Sequence, residues 1–131
     1  MARRIMVSTL VALLVAAVPA ERVTDPAPSK TIIVKMVEKS LTEFAFEPAN
    51  ITARRGDVIR FVQTSTSPHN VEFTNTPEGT ELNGSGMGPY LTQIDETYDV
   101  VIDGRFVPGE HTFVCTPHEF MGMVGMITVE N

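Results

Sequence analysis

The sequence predicts an all-β domain, an antiparallel Greek-key β-sandwich or barrel of seven or eight strands. From residue 31 onward the chain consists of short stretches rich in β-branched and aromatic residues, separated by Gly, Pro, Asn and Asp. No part of this region keeps an apolar period of 3.6 residues, which an amphipathic helix would need. Short strands that recur at this spacing over about 100 residues are typical of sandwiches and barrels.

Turn signals bound the individual strands. β-branched residues fill the first strand, and the alternating Phe44 and Phe46 mark the second. Arg55-Gly56-Asp57 and Asp103-Gly104 are turn sequences between later strands. The segment 75–91 holds four glycines and two prolines, which is too irregular for a strand, although a short helical turn would fit within 75–92. The expected strands are 31–41, 44–48, 50–53, 58–63, 71–74, 97–102, 111–114 and 124–129.

Residues 1–20 have the pattern of an export signal. Arg3 and Arg4 form a positive start, the 14 residues Ile5–Val18 are almost uninterruptedly apolar, and Val18-Pro19-Ala20 offers small residues before a break. Because a bilayer-spanning helix needs about 20 apolar residues, cleavage is favoured over retention as an N-terminal anchor. The expected organisation is a signal peptide at 1–20, a flexible leader at 21–30 and one domain at 31–131, exported to the periplasm or another extracytoplasmic space.

The net charge and the single cysteine of the chain exclude several classes of function. Removal of residues 1–20 leaves 8 Lys and Arg against 16 Asp and Glu, a formal charge of −8. Nucleic acid and anionic lipid are therefore poor partners, because both bind basic surfaces. The single cysteine, Cys115, cannot form an internal disulfide, which leaves a free thiol, an intermolecular bridge or a metal ligand.

The residues around Cys115 favour the metal ligand. His118 and Met123 follow on the same loop, and His69 comes from a distant strand connection. One thiolate, two imidazoles and a more weakly bound thioether are the ligands of a blue-copper electron-transfer site. Pro117 cannot continue a β-ladder, so the chain must turn away from the strand there.

The motif Cys-x2-His-x4-Met with an upstream Pro-His-Asn resembles the cupredoxins, and most closely their plastocyanin and pseudoazurin branch. The resemblance extends over about residues 31–131 and is most specific at 68–70 and 115–126. It implies a monomeric β-sandwich with one type 1 copper that carries single electrons between redox partner proteins. His69, Cys115 and His118 would be the equatorial ligands and Met123 the axial ligand.

Several assignments have competitors. Met121 or Met126 could replace Met123, although the spacing favours Met123, and the other two are then surface-patch and core residues. His111 stands four residues before Cys115, about 13 Å along a strand at about 3.3 Å per residue, so we expect a structural histidine.

The resemblance also suggests roles for residues next to the ligands. Asn70 would tie the two ligand loops together and donate its backbone N–H to the sulfur. Pro117 has no N–H to donate, which should lower the reduction potential. An apolar rim around the edge of His118, formed by Met87, Phe120 and Met121, would be the docking patch for partners.

Two other classes of copper protein fit the sequence less well than an electron carrier. A copper storage or delivery protein would need exposed, exchangeable Met- or His-rich sites, which this chain does not have as a tract. A copper enzyme would need an open copper position or further histidines, and the chain has three in all. The sequence therefore predicts an electron carrier that is not an enzyme.

Overall fold

Eight strands and one short helix make up the part of the chain that the computed structural model describes, residues 29–82 and 86–131. The predicted all-β class and strand number are confirmed. The single helical element of these residues is a 3₁₀ helix at Thr116–Met121, and the helical turn considered for 75–92 is not found in the described part of that segment. The strands are β1 Thr31–Ser40, β2 Glu43–Glu47, β3 Asn50–Arg54, β4 Val58–Gln63, β5 Glu72–Asn75, β6 Thr97–Val101, β7 Gly109–Val114 and β8 Val124–Glu130.

The strands form two four-stranded sheets, in the orders β2-β1-β4-β6 and β3-β8-β7-β5. Four of the pairings are antiparallel, as expected, whereas β1 pairs with β4 and β3 pairs with β8 in parallel. Parallel neighbours require a crossover connection. Between the two strands of each parallel pair the chain passes through at least one strand of the opposite sheet, and such crossings leave no local mark in the sequence.

Aromatic side chains from both sheets fill the space between them. Phe46 lies edge-to-face against Phe113 with ring centroids 4.8 Å apart, and Phe61 lies against Phe113 at 5.2 Å. All three rings are buried. Edge-to-face contacts of this kind stabilise a core beyond the area they bury, by about 0.5–1.5 kcal/mol per pair.

The topology brings the ends of three strands together at one end of the sandwich. β4 ends at Gln63 shortly before His69, β7 ends directly before Cys115, and β8 begins directly after Met123. The backbone N–H of Cys115 donates to the carbonyl oxygen of Met123 over 3.0 Å, which ties the last two strands together at this end.

The proposed signal peptide and most of the leader lie outside the described residues. Within 29–82 and 86–131, no helix has the length and apolar character needed to cross a membrane.

Candidate metal centre

The loop that follows β7 is folded by residues with special backbone preferences. Cys115 is extended, with φ −92° and ψ 113°, and caps the 3₁₀ helix, which carries Pro117 at its start. Proline suits the first helical turn because its fixed φ is helical and its missing N–H would have no partner there. Gly122 ends the helix in the left-handed region at φ 87°, a conformation that other residues adopt only with strain. The chain then returns through Met123 into β8.

His69 is held by backbone hydrogen bonds on a separate connection, between β4 and β5. Its N–H donates to the carbonyl oxygen of Leu91 over 3.1 Å, and the N–H of Leu91 donates back to His69 over 2.7 Å. His69 is completely buried. The histidine is therefore fixed by the scaffold rather than placed on a mobile loop.

Three donor atoms converge between these two loops. Nδ1 of His69 lies 3.0 Å from Nδ1 of His118, and Sγ of Cys115 lies 3.5 and 3.4 Å from these nitrogens. The point equidistant from the three atoms lies about 1.9 Å from each, close to the distances of about 2.0–2.3 Å that zinc, an ion of similar size to copper, keeps to imidazole nitrogen and thiolate sulfur. The donor set and its spacing therefore fit one bound metal ion.

Met123 is completely buried at this end of the sandwich, next to the ligand loop. Its N–H donates to the carbonyl oxygen of His118 over 3.2 Å. The two competing methionines differ from it, because Met121 is exposed and Met126 is only half-buried, not the core residue expected from the sequence. Burial thus distinguishes Met123 from both.

The protonation states of the three donors reflect their burial. Burial and, to a smaller extent, the neighbouring His118 lower the pKa of His69 to about 4, and Glu38 opposes this shift. Burial also lowers the pKa of His118, again against Glu38. Both imidazoles are thus neutral at pH 7, the form that binds metals. Burial raises the pKa of the Cys115 thiol, and backbone hydrogen bonds from Asn70 and His118 offset part of that rise.

Asn70 joins the two ligand loops through its side chain. Its Nδ2 donates to Oγ1 of Thr116 over 2.9 Å, and its Oδ1 accepts from the backbone N–H of Thr116 over 2.8 Å. Thr116 in turn donates its hydroxyl hydrogen to Glu72 over 2.8 Å. These side-chain bonds connect the two ligand loops in the way that the resemblance implied for Asn70, and the backbone of Asn70 is also among the groups that lower the pKa of the Cys115 thiol. Pro117 stands between Thr116 and His118 on the ligand loop and has no backbone N–H to donate.

Three neighbours of the histidines were missed by sequence reasoning. Phe44 stacks on the ring of His118, with centroids 4.0 Å apart and planes 13° apart, whereas its alternation with Phe46 indicated only a core strand. Ser65 has its Oγ 2.9 Å from Nε2 of His69. Glu38 accepts a hydrogen bond from the hydroxyl of Ser67. The one feature of the sequence that could have indicated polar neighbours of His69 is the run of four hydroxyl residues at 64–67, directly before Pro68-His69.

The expected surface patch consists of exposed apolar side chains. Phe120 is fully exposed, and Met87 and Met121 are exposed by 45% and 41%. Phe120 and Met121 belong to the same 3₁₀ helix as His118. Met87 forms an isolated bridge to Glu72, whose carboxylate is bound to Thr116 of that helix.

His111 lies apart from the donor cluster, as expected for a structural histidine. It is buried, its Nε2 donates to the carbonyl oxygen of Val107 over 2.8 Å, and its ring packs edge-on against Phe106.

Comparison with known proteins agrees with this geometry. Residues 33–130 match the family described as copper binding proteins of the plastocyanin/azurin family. Plastocyanin of Synechococcus sp. (strain JA-2-3B'a(2-13)) is 33% identical over 125 residues, which cover 92% of this chain and 88% of that protein. Pseudoazurin of Paracoccus pantotrophus is 40% identical over 84 residues, which cover 64% of this chain and 52% of that protein.

Solved structures are similar as well. The structure of a pseudoazurin from Sinorhizobium meliloti superposes with a TM-score of 0.56 at 31% identity, covering 78% of this chain and 75% of that chain. The oxidized form of plastocyanin from Dryopteris crassirhizoma superposes with a TM-score of 0.58 at 26% identity, covering 75% of this chain and 99% of that chain.

Proposed function

The chain belongs to the plastocyanin/azurin family of copper-binding proteins, and from this premise we propose that it carries single electrons between redox partner proteins. The observation that carries the proposal is the convergence of the two imidazole nitrogens and the thiol sulfur within 3.0–3.5 Å of one another. Copper is the cofactor of this family, and the buried donor set fits it.

His69, Cys115 and His118 are the proposed equatorial ligands, and Met123 is the proposed axial ligand. When bound, copper supplies reversible one-electron exchange between Cu(I) and Cu(II), which suits a site of mixed sulfur and imidazole donors. The chain contributes rigidity. Ligands from two loops tied by the side chain of Asn70 need to move little when the oxidation state changes.

The proposed ligands differ in burial, and this difference indicates different roles. His69, Cys115 and Met123 are completely buried and keep the site dry, whereas His118 is half-buried. The ring of His118 is therefore the short route between the metal site and the surface. The stacked ring of Phe44 holds it in orientation.

The docking surface proposed for partners is the apolar patch of Met87, Phe120 and Met121. A small apolar surface next to the point of electron exit favours weak complexes that dissociate quickly, as redox partners require. The chain acts as a monomer in this proposal, because the same patch must remain free for each partner.

Two alternative functions fit the site less well. A copper delivery protein releases its metal readily, but His69, Cys115 and Met123 are completely buried here and their loops are anchored by backbone hydrogen bonds. An enzyme needs an open position for substrate, and four protein ligands leave none. We therefore propose a carrier rather than an enzyme.

The proposed cellular location is extracytoplasmic, with residues 1–20 removed as a signal peptide, 21–30 as the leader and 31–131 as the functional domain. This rests on the positive, apolar and small-residue order of the N-terminus. N-terminal sequencing of the protein purified from its native cells would give a first residue near 21, whereas a retained Met1 or Ala2 would favour the anchor.

Electron self-exchange between the Cu(I) and Cu(II) forms tests the docking surface without a foreign partner. Phe120→Asp places a charge in the patch, and we expect it to slow self-exchange by about tenfold or more, because central apolar contacts dominate interface energies. The matched control is Val101→Asp on the outer side of β6, where the side chain is 44% exposed. Equal rates for both variants would contradict the proposed surface.

A further inference from the structure

A chain of hydrogen bonds runs from Gln63 through Ser65 to Nε2 of His69. The chain starts at Gln63, the last residue of β4, which is completely buried. Its Nε2 donates to the carbonyl oxygens of Ser67 and Leu91 over 2.8 and 2.9 Å. Because both amide hydrogens are used in this way, Oε1 of Gln63 must point in the other direction, as an acceptor.

Ser65 lies on the accepting side of that amide. Its backbone N–H donates to Oε1 of Gln63 over 3.1 Å, and its hydroxyl hydrogen points to the same oxygen over 3.3 Å. A hydroxyl has a single hydrogen, so when Ser65 donates it to Oε1 of Gln63, its Oγ accepts in the 2.9 Å contact with Nε2 of His69. In this arrangement Nε2 of His69 carries the hydrogen.

The position of this hydrogen determines the state of the other ring nitrogen, Nδ1. A neutral imidazole with its hydrogen on Nε2 has its lone pair on Nδ1. In His69 this atom faces Nδ1 of His118 at 3.0 Å and the sulfur of Cys115 at 3.5 Å. Without the chain of hydrogen bonds, His69 could instead place the hydrogen on Nδ1 and donate it to His118, the form that cannot bind a metal there.

We propose that Ser65, oriented by Gln63, is a positioning residue that holds His69 in the tautomer whose Nδ1 lone pair points into the metal site. The metal-binding part of this inference rests on the function proposed above, whereas the tautomer itself is a property of the metal-free protein. Hydrogen-bond partners of metal-binding histidines commonly fix the ring in this way, and their loss typically lowers metal affinity about 10–100-fold.

The test compares two serines of the same loop. Ser65→Ala removes the acceptor, and Ser65→Thr restores a hydroxyl at the same place. Ser67→Ala is the matched control, because its hydroxyl donates to Glu38 and does not contact His69. All variants are made in the full chain and checked for folding by circular dichroism.

The first measurement is the tautomer of His69 in the copper-free protein, from the ¹⁵N chemical shifts of its ring nitrogens at pH 7. We expect the wild type, Ser65→Thr and Ser67→Ala to hold the hydrogen on Nε2. A single lost hydrogen bond is worth about 1 kcal/mol, so Ser65→Ala should move the tautomer ratio about fivefold towards Nδ1–H. An unchanged ratio in Ser65→Ala would overturn the proposal.

The second measurement is copper affinity, by competition with a chelator of known strength. Ser65→Ala should bind about tenfold more weakly than the wild type, and Ser67→Ala should stay within about twofold of it. If Ser65→Ala shifts the tautomer while no form of the protein binds copper, the proposed function fails and the positioning role stands. If the wild type binds copper and Ser65→Ala binds it equally well, the role of Ser65 towards the metal is refuted alone.

Discussion

Gly125 is the position where a single added methyl group should disturb the site most directly. It lies in β8, directly opposite Phe113 of β7, and these two strands carry Met123 and Cys115 at their ends. A Cβ at Gly125 would lie 2.3 and 2.6 Å from ring atoms of Phe113 and 2.8 Å from the backbone oxygen of Ala49. Non-bonded carbon atoms prefer about 3.5–4.0 Å, so the ring would have to move by about 1 Å.

The loss of stability in Gly125→Ala depends on whether the groups that the new methyl group meets can move aside. Phe113 is completely buried between other rings, and the carbonyl of Ala49 accepts a hydrogen bond from Met126 over 2.8 Å. Overpacking of a closed core typically costs about 1–3 kcal/mol, and a backbone contact places Gly125→Ala near the upper end. At about 4–8 °C per kcal/mol for a domain of this size, the melting temperature should fall by about 12–24 °C.

Thermal unfolding followed by circular dichroism measures this change, with Gly104→Ala as the control. A Cβ at Gly104 would meet nothing within 4 Å, so that variant should melt within about 3 °C of the wild type. A Gly125→Ala variant that also melts within about 3 °C of the wild type would refute the reasoning, because the core would then have room that these short distances exclude.

Two further predictions concern the potential and the dependence of stability on pH. Pro117→Ala supplies an N–H at the loop position next to the sulfur and should therefore raise the reduction potential. If the new hydrogen bond is worth about 1.5–3 kcal/mol in the reduced state only, the potential rises by up to about 65–130 mV. An unchanged or lower potential in cyclic voltammetry would count against this account. The carboxylate of Asp57 accepts backbone hydrogen bonds from Lys30 and Arg54 over 3.0 and 2.9 Å. Burial by itself raises the pKa of this carboxyl, but the two hydrogen bonds and the nearby positive charges outweigh burial, so that the pKa is lowered. A carboxyl whose folded pKa is lowered stabilises the fold above its unfolded pKa of about 3.9 and loses this contribution as the pH falls through the folded value. Asp57→Asn should therefore cost about 1–3 kcal/mol at pH 6 and progressively less towards pH 3, and a cost independent of pH in urea unfolding would contradict the assignment.

The strands were predictable because their signals are local. Val58–Gln63 has the same bounds in the sequence prediction and in the structure, and Pro48 and the Arg55-Gly56-Asp57 turn mark boundaries through their own backbone preferences. The parallel pairing of β1 with β4 was not predictable in this way. It depends on which sheet each connection crosses to, and no residue in the connections encodes that by itself.

The donor residues could be identified because their chemistry is rare in this chain, which has one cysteine and three histidines. Their convergence, in contrast, joins positions 46 residues apart and could be checked only in three dimensions. The same limit applied to Phe44 and Ser65. Each belongs to a common residue type in an ordinary strand or loop, and its contact with a histidine ring is created by the packing of the two sheets.

Titration of the purified protein with Cu(II), followed by visible absorption and then by reduction and reoxidation, tests the central claim most directly. We expect one copper per chain, an intense blue or green absorption from thiolate coordination, and full recovery of that absorption after each redox cycle. A colourless protein that gives up its copper readily to a chelator would contradict the claim and favour copper delivery.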